Sequence, residues 1–155
     1  MAAEVVTLAQ RRKVAKEMQR SENELAAIIV DSAYQIHTEL GPGLLESVYE
    51  VVLTHELQSR GLRVERQVAI PIQYRGLRFE VGFRADLMVE ESVIVEIKSV
   101  EENHAVHKKQ LLTQLRLTGK RLGLVLNFGL PRIKDGIARV VNGLPDSQPT
   151  PDMHS

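Results

Sequence analysis

Asp86, Glu96 and Lys98 are the side chains best suited to chemistry in this 155-residue chain, because each interrupts a run of apolar, strand-forming residues. Side chains alternate across a strand. In Val93-Ile94-Val95-Glu96-Ile97-Lys98 the glutamate and the lysine therefore project from one face, and Val95 and Ile97 from the other. On the preceding strand Asp86 shares a face with Arg84 and Met88. A three-residue turn of Glu90, Glu91 and Ser92 pairs Val89 with Val93, and counting back sets Asp86 across from Glu96. Opposed residues on one face have Cβ atoms about 4.5–5.5 Å apart. Two carboxylates that close repel unless something neutralises them. Hard Mg²⁺, or Mn²⁺ in its place, does so with one or two carboxylates, waters and phosphate oxygens. Lys98 can hold an attacking water or a phosphate oxygen, so the chemistry in view is that of a divalent metal acting at a phosphate. A turn of two or four residues would instead throw the acids onto opposite faces. The pattern also fits a solvent-facing hairpin that carries acid, acid and lysine as a surface pair.

Those strands need helices to cover them. Ser21-Glu22-Asn23-Glu24 has the form of a capping box. Leu25, Ile28, Ile29, Ala33, Ile36 and Leu40 then recur at the spacing of one buried helical stripe. Gly41-Pro42-Gly43 stops that helix. A second helix is expected over 44–59, burying Leu45, Val48, Tyr49, Val52, Leu53 and Leu57, with Gly61 closing it. Val68, Ile70, Ile72 and Tyr74 alternate in a strand that Pro71 confines to an edge or a bulge. Arg75-Gly76 is a turn, and Leu77 to Val89 is a long second strand. After the Val93–Lys98 strand, a helix over 104–118 ends at Gly119. Residues 121–128 are nearly continuous apolar, as a strand buried on both faces requires. A short strand covers Ile137 to Val141. The fold class is α/β, leaning to α+β: a central mixed sheet of four to five strands flanked by helices, in the order α-α-β-β-β-α-β-β. Residues 1–20 read as a frayed helix or flexible extension, 21–144 as one domain, and the Pro/Ser-rich 145–155 as a disordered tail.

Composition narrows the classes. With 43% hydrophobic and 26% charged residues the chain suits one ordinary globular domain. Absence of cysteine excludes disulfides, thiolate metal sites and cysteine nucleophiles. No apolar run approaches the ~18 residues of a membrane span, and the start lacks the order of a secretory signal. A cytoplasmic location is the expectation. Twenty basic and twenty acidic residues balance, which argues against a histone-like grip on nucleic acid. The distribution is uneven, however. Residues 103–134 hold Lys108, Lys109, Arg116, Lys120, Arg121, Arg132 and Lys134 and no acid. Arg11, Arg12, Lys13, Lys16 and Arg20 form a second cluster. Either could face phosphates, or simply be a solvated helix face.

Asp86, then Glu96-Ile97-Lys98 after a short hairpin, then a helix containing Gln110, resembles the PD-(D/E)XK nuclease superfamily, and within it the GxxExxY group. Gly43-Leu44-Leu45-Glu46-Ser47-Val48-Tyr49 fits the namesake motif of that group. Ile36-His37, Leu40-Gly41-Pro42-Gly43, Arg66-Gln67, Phe83-Arg84-Ala85-Asp86, Gln110-Leu111-Leu112-Thr113 and Asn127-Phe128-Gly129 are similar to its other blocks. The resemblance spans about residues 22–143 and implies a restriction-endonuclease-like core. It implies that Glu46, from the second helix, joins Asp86, Glu96 and the carbonyl of Ile97 as metal ligands. It makes Lys98 the catalytic lysine and Gln110 part of a Gln-x-x-x-Tyr motif that orients the site and the nucleic acid. Gln114 stands where that motif has Tyr, removing a stacking ring and a phenolic hydroxyl. The implied activity is a Mg²⁺-dependent nuclease acting on DNA in preference to RNA, with no membrane partner. A homo-oligomer is compatible with the sequence and not required by it. The rival from another class is a catalytically inactive module of the same fold that binds nucleic acid or a protein.

Other motifs fall away. His37 is expected to pack or hydrogen-bond rather than to ligate. His104 and His107 have the spacing of a metal pair, but no acid lies between Glu102 and Asp135 to complete a zinc site. His55-Glu56 lacks the second histidine of a zinc protease, Gly41-Pro42-Gly43 lacks the end of a phosphate loop, and no G-x-S-x-G elbow occurs.

Overall fold

Each element begins and ends where local chemistry dictates, and the ends are what shape the site. The structure, a computed structural model, describes residues 5–145, the side chains of 14–18 excepted. The helices are α1 (Leu8–Met18), α2 (Glu22–Leu40), α3 (Glu46–Ser59) and α4 (Ala105–Thr118). The strands are β1 (Val64–Tyr74), β2 (Leu77–Val89), β3 (Val93–Lys98), β4 (Leu122–Asn127) and β5 (Ile137–Val141), with a 3-10 turn at Ile133–Gly136. They form one five-stranded sheet in the order β1-β2-β3-β4-β5, antiparallel throughout except that β3 and β4 run parallel around α4. This is the expected α/β arrangement with one helix more at the start: of the two readings of the extension, helix or flexible segment, residues 8–18 take the helical one. The tail beyond Pro145 lies outside the described residues.

Ser21 caps α2, its hydroxyl accepting from the Glu24 amide at 3.2 Å and donating to the Glu24 carboxylate at 3.3 Å. Gly41 ends it at φ 73°, a backbone state costly for any side chain with a Cβ. Two cores sandwich the sheet. Leu25, Ile29 and Ile36 of α2 and Tyr49, Leu53 and Leu57 of α3 pack on Val93, Val95, Ile97, Leu124 and Leu126. On the opposite face Leu111 and Leu115 of α4 meet Met88, Ile94 and Val125. A Cβ at Gly123 would stand 2.8 Å from Leu111, so the glycine lets α4 settle onto β4. Every residue of β4 is buried, as its unbroken apolar run requires.

Several expected core positions lie outside. Leu40, Leu45 and Val48 are exposed, and Val52 is half-buried. α3 carries valines or leucines on most of its circumference, so periodicity did not fix which face turns inward. The outer half of β2 is also exposed at Leu77, Phe79 and Val81, because the β1–β2 hairpin extends past the helices. β1 starts at Val64, earlier than the alternation suggested, and lies at the sheet edge with its register shifted between Ile70 and Ile72. Both consequences expected of Pro71 are present.

Candidate functional site

The β2–β3 turn decides whether two acids meet. Glu90 and Glu91 take left-handed backbone angles of 52° and 54°, and the Ser92 amide donates to the Val89 carbonyl at 2.9 Å. Glu90 is held there by the Arg63 amide, which donates to its carboxylate at 2.9 Å. The resulting register is Val89 with Val93, Met88 with Ile94 and Leu87 with Val95. One step further, Asp86 faces Glu96. There the strand ladder stops: the Ile97 amide donates to Asp86 Oδ2 at 2.8 Å, so a side chain stands in for a strand carbonyl. The strands part, and a cleft of about 630 Å³ opens at their end, lined by Asp86, Ile97, Ser99, Leu44, Glu46 and Glu50 among others.

Glu96 is buried, and its Oε1 finds no hydrogen-bond partner among the described residues. Burial first, and the Asp86 carboxylate second, push its proton affinity up to about 8 from an ordinary 4.5, with Lys98 pulling the other way. The pair is thus an incompletely satisfied set of hard oxygen donors. A divalent cation would satisfy it, which is how these residues fit a metal such as Mg²⁺.

Glu46 reaches the cleft through a separate device. The Tyr49 hydroxyl donates to the Gly41 carbonyl at 2.6 Å and accepts from the Leu44 amide at 3.2 Å. Its ring stacks on Phe128 with centroids 4.4 Å apart. The Ser99 hydroxyl donates to the Leu44 carbonyl at 2.5 Å. Tyr49 therefore fixes the loop from which α3 starts, and Glu46, at the first helical position, turns into the cleft. The spacing Gly43-x-x-Glu46-x-x-Tyr49 has a physical meaning: a glycine at a left-handed 89° in the loop, an acid at the helix start, and a tyrosine that ties the loop down at Gly41 and Leu44. Among the described residues, no three His, Cys, Asp or Glu side chains lie close enough together to hold one ion, so Glu46 shares the cleft without joining Asp86 and Glu96 in a formed cluster.

Two cleft residues carry no role in the sequence reading, although Gln67 falls in the Arg66-Gln67 block. Glu50, one turn after Glu46, is buried and paired with Arg66 at 3.2 Å. Gln67 sits in β1 at a left-handed 52°, unusual for a residue with a Cβ. Its Nε2 donates to Glu50 Oε1 at 2.6 Å and to Asp86 Oδ1 at 3.4 Å, tying the two acids together. The available signal for Glu50 was its i,i+4 relation to Glu46, which puts both on one helix face. Nothing in the sequence marked the backbone angle of Gln67.

The remaining candidates divide. Lys98 is half-buried and opens onto a second, smaller pocket rather than the cleft. Glu96, two residues before it in β3, lines neither space. Gln110 is exposed on α4, one turn beyond His107, and lines neither cavity. One turn further, Gln114 has its Oε1 buried and without a partner among the described residues. His37 Nε2 lies 2.9 Å from the Leu130 carbonyl, a packed, hydrogen-bonded histidine away from the acids. After β3, Asn127 Oδ1 accepts from the Val100 and Gly129 amides at 3.1 and 3.0 Å, holding the loop that leads to α4. A Cβ at Gly129 would stand 2.3 Å from the Val100 carbonyl oxygen, so that position is reserved for glycine.

Residues 23–140 match the sequence model of the PD-(D/E)XK nuclease superfamily. No curated protein and no solved structure matches the chain.

Proposed function

Given that the chain belongs to the PD-(D/E)XK nuclease superfamily, we propose that it is a Mg²⁺-dependent nuclease of the GxxExxY group that hydrolyses phosphodiester bonds in DNA, and in RNA less readily. The observation that carries this is the Asp86–Glu96 pair: Asp86 lines an open cleft with Ile97, and behind it one buried Glu96 oxygen is left unpaired among the described residues. Asp86, Glu96 and the Ile97 carbonyl would hold the cation, and Glu46 would close the set from the other wall. Mn²⁺ suits the same donors. When bound, the cation supplies Lewis acidity to the phosphate and lowers the pKa of coordinated water. The chain does the rest. Lys98 donates hydrogen bonds to the attacking water or to a non-bridging oxygen and offsets negative charge as it develops. Gln67 holds Asp86 and Glu50 at a fixed separation. Gln110 and the basic side chains of α4 position the nucleic acid beside the cleft.

A second reading, that of a catalytically idle module binding nucleic acid or a protein, is favoured by two observations. The three acids are not gathered into one cluster among the described residues, and Gln114 replaces the usual Tyr. Purified protein given linear, circular and single-stranded DNA with Mg²⁺ or Mn²⁺ separates the two. Cleavage that falls by about 10²-fold or more in both Asp86→Ala and Lys98→Ala is the expected result. Cleavage surviving in both variants assigns it to another site or a contaminant. DNA binding without cleavage in wild type selects the idle module.

A further inference from the structure

Apart from the cleft, four basic side chains converge on a pocket of about 90 Å³. Lys98 comes from the end of β3, His104 from the loop that follows, and His107 and Lys108 from the first turn of α4, with Asn103 and Asn127 beside them. No ion pair among the described residues engages any of the four basic groups. Asp135 is the acid on the wall, but its carboxylate is tied to Arg132 at 3.4 Å and its carbonyl accepts from Asn103 at 2.7 Å. The rings of His104 and His107 stand edge to face, 5.5 Å apart. His107 Nδ1 is buried and has no partner among the described residues. Burial above all, then the charges of Lys98 and His104, lower the proton affinity of His107 below the ordinary imidazole range. Lys98 and His104 thus add positive charge around His107, against a smaller opposing pull from Glu46. Clustered like charge is unfavourable unless an anion offsets it. The space has room for a small anion such as one phosphate group.

We propose that this pocket is a phosphate-binding subsite, with Lys98 next along β3 to the cleft-lining Ile97, that takes one phosphate of the substrate chain near the bond to be cut. The assignment to a nucleic-acid phosphate rests on the nuclease reading above; the anion site itself does not. A terminal and an internal phosphate offer the same chemistry, and the test tells them apart.

The full chain, isotope-labelled and free of divalent cations, is titrated with inorganic phosphate while the imidazole resonances of His104, His107 and His55 are followed. His104 and His107 should shift saturably, and His55, exposed on α3, should not. Lys108→Ala should weaken the binding by about five-fold or more, the loss of a charge-assisted hydrogen bond. Absence of a saturable shift, or one that Lys108→Ala leaves unaltered, overturns the subsite. Short oligonucleotides with a 5′-phosphate or a 5′-hydroxyl then compete with the bound phosphate. Displacement by the first alone identifies a terminal phosphate, and displacement by both an internal one. Displacement by neither overturns the assignment to nucleic acid. Phosphate binding in a protein that never cleaves keeps the pocket and removes the nuclease. Cleavage without a phosphate-induced shift does the reverse.

Discussion

Glu96 concentrates the conflict between stability and chemistry. Its proton affinity lies at about 8 in the folded chain against 4.5 when unconstrained, chiefly because it is buried and faces Asp86. Between those values the folded state holds a proton that the unfolded state has released, so stability falls as pH rises through the interval. The penalty is absent below pH 4.5 and complete above about 8. Glu96→Gln keeps the shape and removes the charge. In chelator the variant should melt above wild type at pH 9, by about 2–4 °C for each kcal/mol relieved, and the two should converge near pH 4. Added Mg²⁺ should then raise the melting point of wild type and leave that of Glu96→Gln nearly unmoved, since a ligand stabilises only the state that binds it. Parallel pH profiles for the two proteins would contradict the burial argument, and equal responses to Mg²⁺ would contradict the ligand assignment.

At the scale of elements, the helix start that carries Glu46 is held by a side chain rather than by its own cap. Leu45 at the N-cap offers no side-chain hydrogen bond, and the Tyr49 hydroxyl bonds Gly41 and Leu44 instead. Tyr49→Phe keeps the stack on Phe128 and strips both bonds. It should cost about 1–2 kcal/mol of unfolding free energy, read by denaturant melts at constant m-value. Cleavage should fall while DNA affinity holds, because the change acts through Glu46. The elements themselves were legible wherever local chemistry is unambiguous. The Ser21 cap, the Gly41 stop, the Pro71 edge and the three-residue turn that puts Asp86 across from Glu96 are all decided within a few residues of chain. What escaped depends on distant contacts. α3 has apolar residues on most of its faces, so its inward phase is chosen by the sheet, which takes Tyr49, Leu53 and Leu57 and leaves Leu45 and Val48 outside. Glu50 is tolerated inside because Arg66 and Gln67 arrive from β1 to meet it. Neither partner is near it in sequence.

Over the whole molecule, formal charge neutrality leaves nucleic-acid binding to local patches, and pairing trims the patch suggested by the sequence. Of the seven basic residues in 103–134, Arg121 is engaged by Glu22 at 2.6 Å and Arg132 by Asp135 at 3.4 Å. No ion pair among the described residues engages Lys108, Lys109 or Arg116. All three are exposed on α4, and Lys109 and Arg116, two turns apart, share a face. Binding to a duplex releases close to one counterion for each phosphate neutralised. If α4 supplies the grip, the logarithm of the binding constant should fall against that of salt with a slope of about −3, measured in chelator to exclude cleavage. Lys109→Ala or Arg116→Ala should reduce the slope by about 0.9 each. Arg121→Ala should leave it unchanged, because that guanidinium is already neutralised by Glu22 before any DNA arrives. A slope near −6, or an equal loss on removing Arg121, would mean that the substrate breaks the Glu22 and Arg132 pairs to lie across the whole basic stretch. The contact surface would then run from α4 along the end of β4 toward α2, not along α4 alone.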